Sequence, residues 1–266
     1  MTRGRRRHVA GAVAALVLLA GCGGAGDQTA SGGPAPGTTE PSGPRAIADR
    51  CLSATPKGRE IEGVTLTGDD MSLRGALLRP ADPSVTAVVM LPQIGPAGLC
   101  GWLKYAAHLT DLGITALAID PCGYGESTCP EALAPVVDKQ VDLAIAHLDK
   151  TVHPDRVVLM GASMGGSQTV RAVARGVDVD AWVDVSGPSA WDGDVLLDLA
   201  PQVEPPGMIV YARSDGDRLF REAQQLADAT GATFVEGPGG HGWDLLLTLG
   251  GKVTRVGDRV AAFIAD

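Results

Sequence analysis

Aromatic side chains are scarce in this chain: four Trp, three Tyr and three Phe make up 4% of 266 residues. The 45% of hydrophobic residues is therefore carried mostly by Ala, Val and Leu, and with 36 Gly the mix suits tightly packed α/β architecture with glycine in the turns. Positive charge is also short, with 22 Lys and Arg against 31 Asp and Glu. Residues 1–21 hold four of those cations (Arg3, Arg5, Arg6, Arg7) and no acid, so removing them takes the net charge from −9 to −13 for a chain beginning at Cys22. Such a balance excludes nucleic acid as a partner, because phosphate binding depends on clustered Lys and Arg. A metal site is unsupported, since no close His or Cys pairs have ligand spacing. No apolar run is long enough to cross a bilayer: Val9 to Ala20 is uncharged but only 12 residues long, against about 20 for a spanning helix.

That short run follows the basic stretch Arg3 to His8 and reads as the h-region of a signal peptide over residues 1–21. Leu19-Ala20-Gly21-Cys22 at its end resembles the lipobox of bacterial lipoproteins. The resemblance implies a lipidated Cys22 as the new N-terminus, export, and a membrane anchor of more than one acyl chain on the extracytoplasmic side. Gly23 to Pro44 contains seven Gly and four Pro in 22 residues, which is the composition of a flexible tether. Residues 22–44 thus form a lipidated linker and 45–266 a single folded domain, expected to be monomeric. The remaining cysteines are Cys51, Cys100, Cys122 and Cys129. Export favours two disulfides, with a local Cys122–Cys129 pair and Cys51–Cys100 as one of three pairings; buried free thiols are the alternative.

Within the domain, Glu60–Thr67 and Met71–Arg79 alternate apolar and polar residues around Gly68-Asp69-Asp70, predicting an antiparallel hairpin. Short continuous apolar runs follow at 87–91, 114–119, 157–160, 181–185 and 208–211, as in parallel strands buried on both faces. Amphipathic helical patterns lie between them at 102–112, 135–148, 165–175 and 218–230, with a last one at 253–264. The alternation predicts an α/β fold, a mostly parallel sheet with helices on both faces.

The chemistry is concentrated in Gly161-Ala162-Ser163-Met164-Gly165, a G-x-S-x-G run between an apolar strand and a helix pattern. A serine held on a sharp strand-to-helix turn takes a strained backbone, and side chains two residues to either side would collide with it. Serine needs a base, and the base needs an acid to orient it. Here the chain resembles the α/β-hydrolase superfamily from about Glu60 to its end, and that resemblance implies the order Ser, Asp or Glu, His. Asp215 ends Met208 to Ser214, which is similar to the family's late strand and acid turn; Asp217 is a rival two positions on, and both could simply cap a helix. His241, in the Gly-rich run Gly237 to Gly242, resembles the family's base. His108, His147 and His153 fall on helices or a turn and read as surface or capping residues. Asp120 resembles a structural aspartate of the family.

An acyl-transfer site also needs N–H donors for the oxyanion. The resemblance implies Met164 for one, and for the second the loop Leu91-Pro92-Gln93-Ile94, where many relatives carry His-Gly. Pro92 has no N–H, so Ile94 is the expected donor, with Gln93 next. The departure is similar to dienelactone-hydrolase-like enzymes in architecture. Between Val185 and Met208 only 22 residues are available, room for a short helix near Val195–Leu199 and not for a cap domain. The sequence expectation is an exported serine hydrolase of small-molecule or acyl esters, needing no cofactor. The alternative is a catalytically silent hydrolase-fold lipoprotein that binds or scaffolds, motivated by the altered Pro92-Gln93 region. A dehalogenase is disfavoured because a serine stands where that chemistry uses a carboxylate.

Overall fold

A computed structural model describes residues 44–83 and 85–266. The proposed signal segment, Cys22 and nearly all of the tether lie outside the described residues. The elements are α1 (Pro44–Cys51), β1 (Glu62–Gly68), β2 (Met71–Leu78), β3 (Thr86–Leu91), α2 (Leu103–Asp111), β4 (Thr115–Ile119), α3 (Val137–Thr151), β5 (Arg156–Ala162) and α4 (Met164–Ala174). They continue as β6 (Ala181–Val185), the two-residue strands β7 (Ala190–Trp191) and β8 (Asp194–Val195), α5 (Leu196–Leu199), β9 (Gly207–Tyr211), α6 (Asp217–Thr230), β10 (Thr233–Glu236) and α7 (Arg255–Ala265).

Eight strands form one sheet in the order β1-β2-β4-β3-β5-β6-β9-β10. β1, β2 and β4 pair antiparallel, and every pair from β4 to β10 is parallel. The hairpin turns at Asp69 and Asp70, whose φ angles of +51° and +60° give the two left-handed residues that match strand twist.

Continuous apolar runs are needed because the central strands are covered on both faces. In β3, Val88 and Met90 point to one core and Ala87, Val89 and Leu91 to the other. The first core is closed by α1, α2 and α7 through Ile47, Leu103, Tyr105, Val260 and Ile264. The second is closed by α3, α4 and α6 through Val141, Val170, Phe220 and Leu226. The Tyr105 hydroxyl donates to the Gly257 carbonyl at 2.7 Å, tying α2 to α7, and its burial pushes the phenol pKa far up.

Helix α1 is an addition to the sequence reading. It begins on Pro44, a residue preorganised for a first helical turn, and is held by the Cys51–Cys100 disulfide and by an ion pair from Arg50 to the buried Asp120. The second disulfide joins Cys122 and Cys129. Asp120 also accepts the Leu99 N–H at 2.8 Å, so it organises two loops above β4. The segment between β6 and β9 holds the β7–β8 hairpin and the one-turn α5, with Arg171 of α4 bonded to Asp194 at 2.6 Å.

Candidate active site

Ser163 stands between β5 and α4 with φ +51° and ψ −118°, a conformation that L residues rarely adopt. Its neighbours explain how the strain is held. A Cβ on Gly161 would run into the Gly165 carbonyl, and one on Gly165 would lie 2.7 Å from the Pro92 carbonyl oxygen. Three backbone bonds clamp the turn: Ser163 N–H to Val185 O at 2.8 Å, Gly165 N–H to Pro92 O at 3.1 Å and Ser167 N–H to Ser163 O at 3.1 Å. Ser163 is 6% exposed. It sits at the N-terminus of an 11-residue helix, whose dipole favours developing negative charge.

Two strands away along the same sheet edge, β9 ends in a tight 3₁₀ turn, Arg213–Asp215. There the Asp215 Oδ2 lies 2.6 Å from His241 Nδ1. With Nδ1 carrying the proton, the carboxylate accepts it and leaves Nε2 as the free base. Asp217 is instead the exposed first residue of α6. The turn is braced by Arg213, which bonds Glu236 at 3.0 Å and lies 4.3 Å over the Phe220 ring.

The His241 loop is fixed from three sides. Gly240 N–H donates to Ser214 Oγ at 3.1 Å, and Trp243 packs edge-on against Trp102 at 6.0 Å between centroids. Trp102 itself donates from Nε1 to the Leu91 carbonyl at 2.9 Å. A Cβ on Gly242 would sit 3.5 Å from the Ala162 Cβ, so the residue after the histidine abuts the residue before the serine. The structure thus gathers Ser163, Asp215 and His241 at one edge of the sheet. After His241 comes a 3₁₀ turn, Gly242–Leu245. His108, His147 and His153 lie on α2, on α3 and in the turn before β5.

The register pairs Leu91 of β3 with Gly161 of β5, which brings the Gln93–Ile94 loop level with Ser163. Among the described residues the backbone N–H groups of Met164, Gln93 and Ile94 have no hydrogen-bond acceptor in the protein. They are the donors available to an oxyanion. Beneath α4, the wholly buried Asp184 of β6 accepts the Gly187 N–H at 2.7 Å and stands where a Cβ on Gly166 would collide with it. Burial raises its pKa from 3.8 to about 7. Sequence reasoning passed over Asp184, although one acid inside a five-residue apolar strand was the available signal. A separate cleft of about 340 Å³ lies between α5 and α6, lined by Val195, Leu196, Arg218, Glu222 and Leu226. It contains none of Ser163, Asp215 or His241. No cluster of three metal-ligating side chains occurs among the described residues, and no described helix is long and apolar enough to cross a membrane.

The sheet order, its antiparallel lead and the strained serine turn define the α/β-hydrolase fold. Among solved structures, the chain is similar to an esterase of Pyrococcus furiosus, at 14% identity and a TM-score of 0.64 over 78% of this chain and 92% of that one. It is also similar to Est1E from Butyrivibrio proteoclasticus, solved with ferulic acid bound, at 15% identity and a TM-score of 0.58 over 76% and 96%. A proline iminopeptidase of Mycobacterium smegmatis aligns at 13% identity and a TM-score of 0.59 over 77% and 98%. No family model matches the chain, and no curated protein matches it in sequence.

Proposed function

We propose that the protein is an exported, membrane-tethered serine hydrolase that cleaves carboxylic esters through an acyl-enzyme. The observation that carries the reading is the strained Ser163 turn on the same sheet edge as the His241–Asp215 pair. His241 Nε2 takes the Ser163 proton as Oγ attacks the ester carbonyl. Asp215 keeps the imidazole in the tautomer that makes this transfer possible and stabilises the imidazolium that follows. The Met164 N–H and an N–H of the Gln93–Ile94 loop, Ile94 first, hold the negative oxygen of the tetrahedral intermediate. His241 then protonates the leaving alcohol. Water, deprotonated by the same histidine, attacks the acyl-serine; the acid departs and Ser163 regains its proton.

Among the described residues, the short β7–β8 and α5 segment supplies no cap domain, which suits small or extended acyl substrates. The esterases among the similar structures support ester chemistry, and the iminopeptidase marks the amide alternative. Tethering rests on the lipobox resemblance at Cys22.

Pre-steady-state hydrolysis of a nitrophenyl ester tests the proposal: a burst of one nitrophenol per protein, absent in Ser163→Ala, is expected. The matched aminoacyl anilide should turn over far more slowly. A domain that neither bursts nor turns over any of a panel of activated esters is the silent binding module instead.

A further inference from the structure

The loop after β3 carries a side chain that the backbone mechanism leaves unused. The last registered pair of β3 and β5 is Leu91 with Gly161, so Gln93 and Ser163 each follow that strand end by two residues. The Gln93 Oε1 is buried without a hydrogen-bond partner. A Cβ at position 242 would collide with it and would stand 3.4 Å from the Gln93 Cδ. The carboxamide is thus wedged between the serine turn and the histidine loop. Any side chain at 242 would expel it, and φ +57° at that residue independently favours glycine. No hydrogen bond among the described residues offsets the loss of water around Oε1. The other end of the amide, Nε2, is not buried and makes no hydrogen bond among the described residues.

An apolar side chain of the same length would fill this wedge without desolvating a carbonyl. A primary amide there leaves its N–H₂ end free for an acceptor, in a loop that follows the strand end paired with Gly161, two residues before Ser163. We propose that Gln93 is a catalytic residue whose side-chain amide donates to the acyl oxygen as it becomes negative, in addition to the backbone donors. The inference rests on the serine-hydrolase reading above.

Gln93→Met keeps the length and removes the donors, and Gln93→Glu keeps the shape and sets a carboxylate against the oxyanion. With a neutral nitrophenyl ester, kcat should fall about 10- to 100-fold in Gln93→Met and further in Gln93→Glu. KM should stay near that of the parent, and the pH midpoint of kcat/KM should not move in Gln93→Met. The melting temperature of Gln93→Met should equal or exceed that of the parent, since an unsatisfied buried carbonyl is gone. An unchanged kcat in Gln93→Met overturns the proposal, as does a loss confined to KM or a shifted pH midpoint, which would mark a role in ground-state binding or in holding His241. A parent protein that neither bursts nor turns over any activated ester would instead overturn the serine-hydrolase reading itself.

Discussion

Replacing Asp184 by asparagine should stabilise the protein at pH 8 much more than at pH 5. The carboxyl is wholly buried in β6 and ionises near pH 7 in the folded protein against 3.8 when free. Its folded pKa is raised, so ionisation costs the folded state. Below pH 3.8 both states are protonated and no cost exists. Above it the unfolded chain has lost the proton that the folded chain keeps, and the penalty grows by about 1.36 kcal/mol per pH unit until about pH 7, then stays constant. Two of those units lie between pH 5 and pH 7, which amounts to about 2.7 kcal/mol. In a domain of this size, that corresponds to roughly 5–10 °C in Tm. Asparagine keeps an acceptor for the Gly187 N–H, now 2.7 Å from the carboxylate, and resembles the protonated acid in carrying a donor. Thermal melts of parent and variant at pH 5 and pH 8 provide the assay. The Tm advantage of the variant should grow by that amount between the two. An equal difference at both pH values, or a variant less stable at pH 8, would refute the reasoning.

Asp215→Asn should lower kcat on the order of 10⁴-fold with KM little changed, because the amide favours the wrong imidazole tautomer; Asp217→Asn, on an exposed helix start, should leave activity intact. Steady-state kinetics on one activated ester separate the two. Replacing Cys51 and Cys100 by alanine opens a loop of sequence separation 49 and should cost about 4 kcal/mol in denaturant unfolding, against about 2.5 kcal/mol for the Cys122–Cys129 pair with separation 7. Anionic esters should react more slowly than neutral analogues at low salt, with the gap closing as salt rises. The cations near the acid turn do not offset the field, since Arg213 is paired with Glu236 and Arg218 with Glu222.

What the sequence made legible follows from where information is local. The central strands announce themselves because both faces are buried, so their runs are apolar without alternation; β6 starts and ends as the sequence suggests, at Ala181 and Val185. The serine turn is only partly local: glycine at 161 is required by the Gly165 carbonyl four residues on, whereas glycine at 165 is required by the Leu91 and Pro92 backbone at the end of β3, and the run is legible because both requirements fall within five residues. The sequence assigns Asp215 by resemblance alone and keeps Asp217 as a rival. Two residues apart, they are separated only by a 3₁₀ turn that aims the first at His241 and a helix start that exposes the second. Helix α1 was hidden because it continues a Pro and Gly-rich stretch and is held by partners distant in the chain, Asp120 and Cys100. The contact of Gln93 with Gly242 joins two loops that only the folded sheet brings together.

The central claim is that Ser163 is the nucleophile. Incubating the folded domain with a fluorophosphonate and locating the adduct by peptide mass spectrometry tests it directly. One adduct per chain on Ser163 is expected, absent in Ser163→Ala and strongly slowed in His241→Ala. A label that persists in Ser163→Ala, or that maps to another residue, would contradict the account.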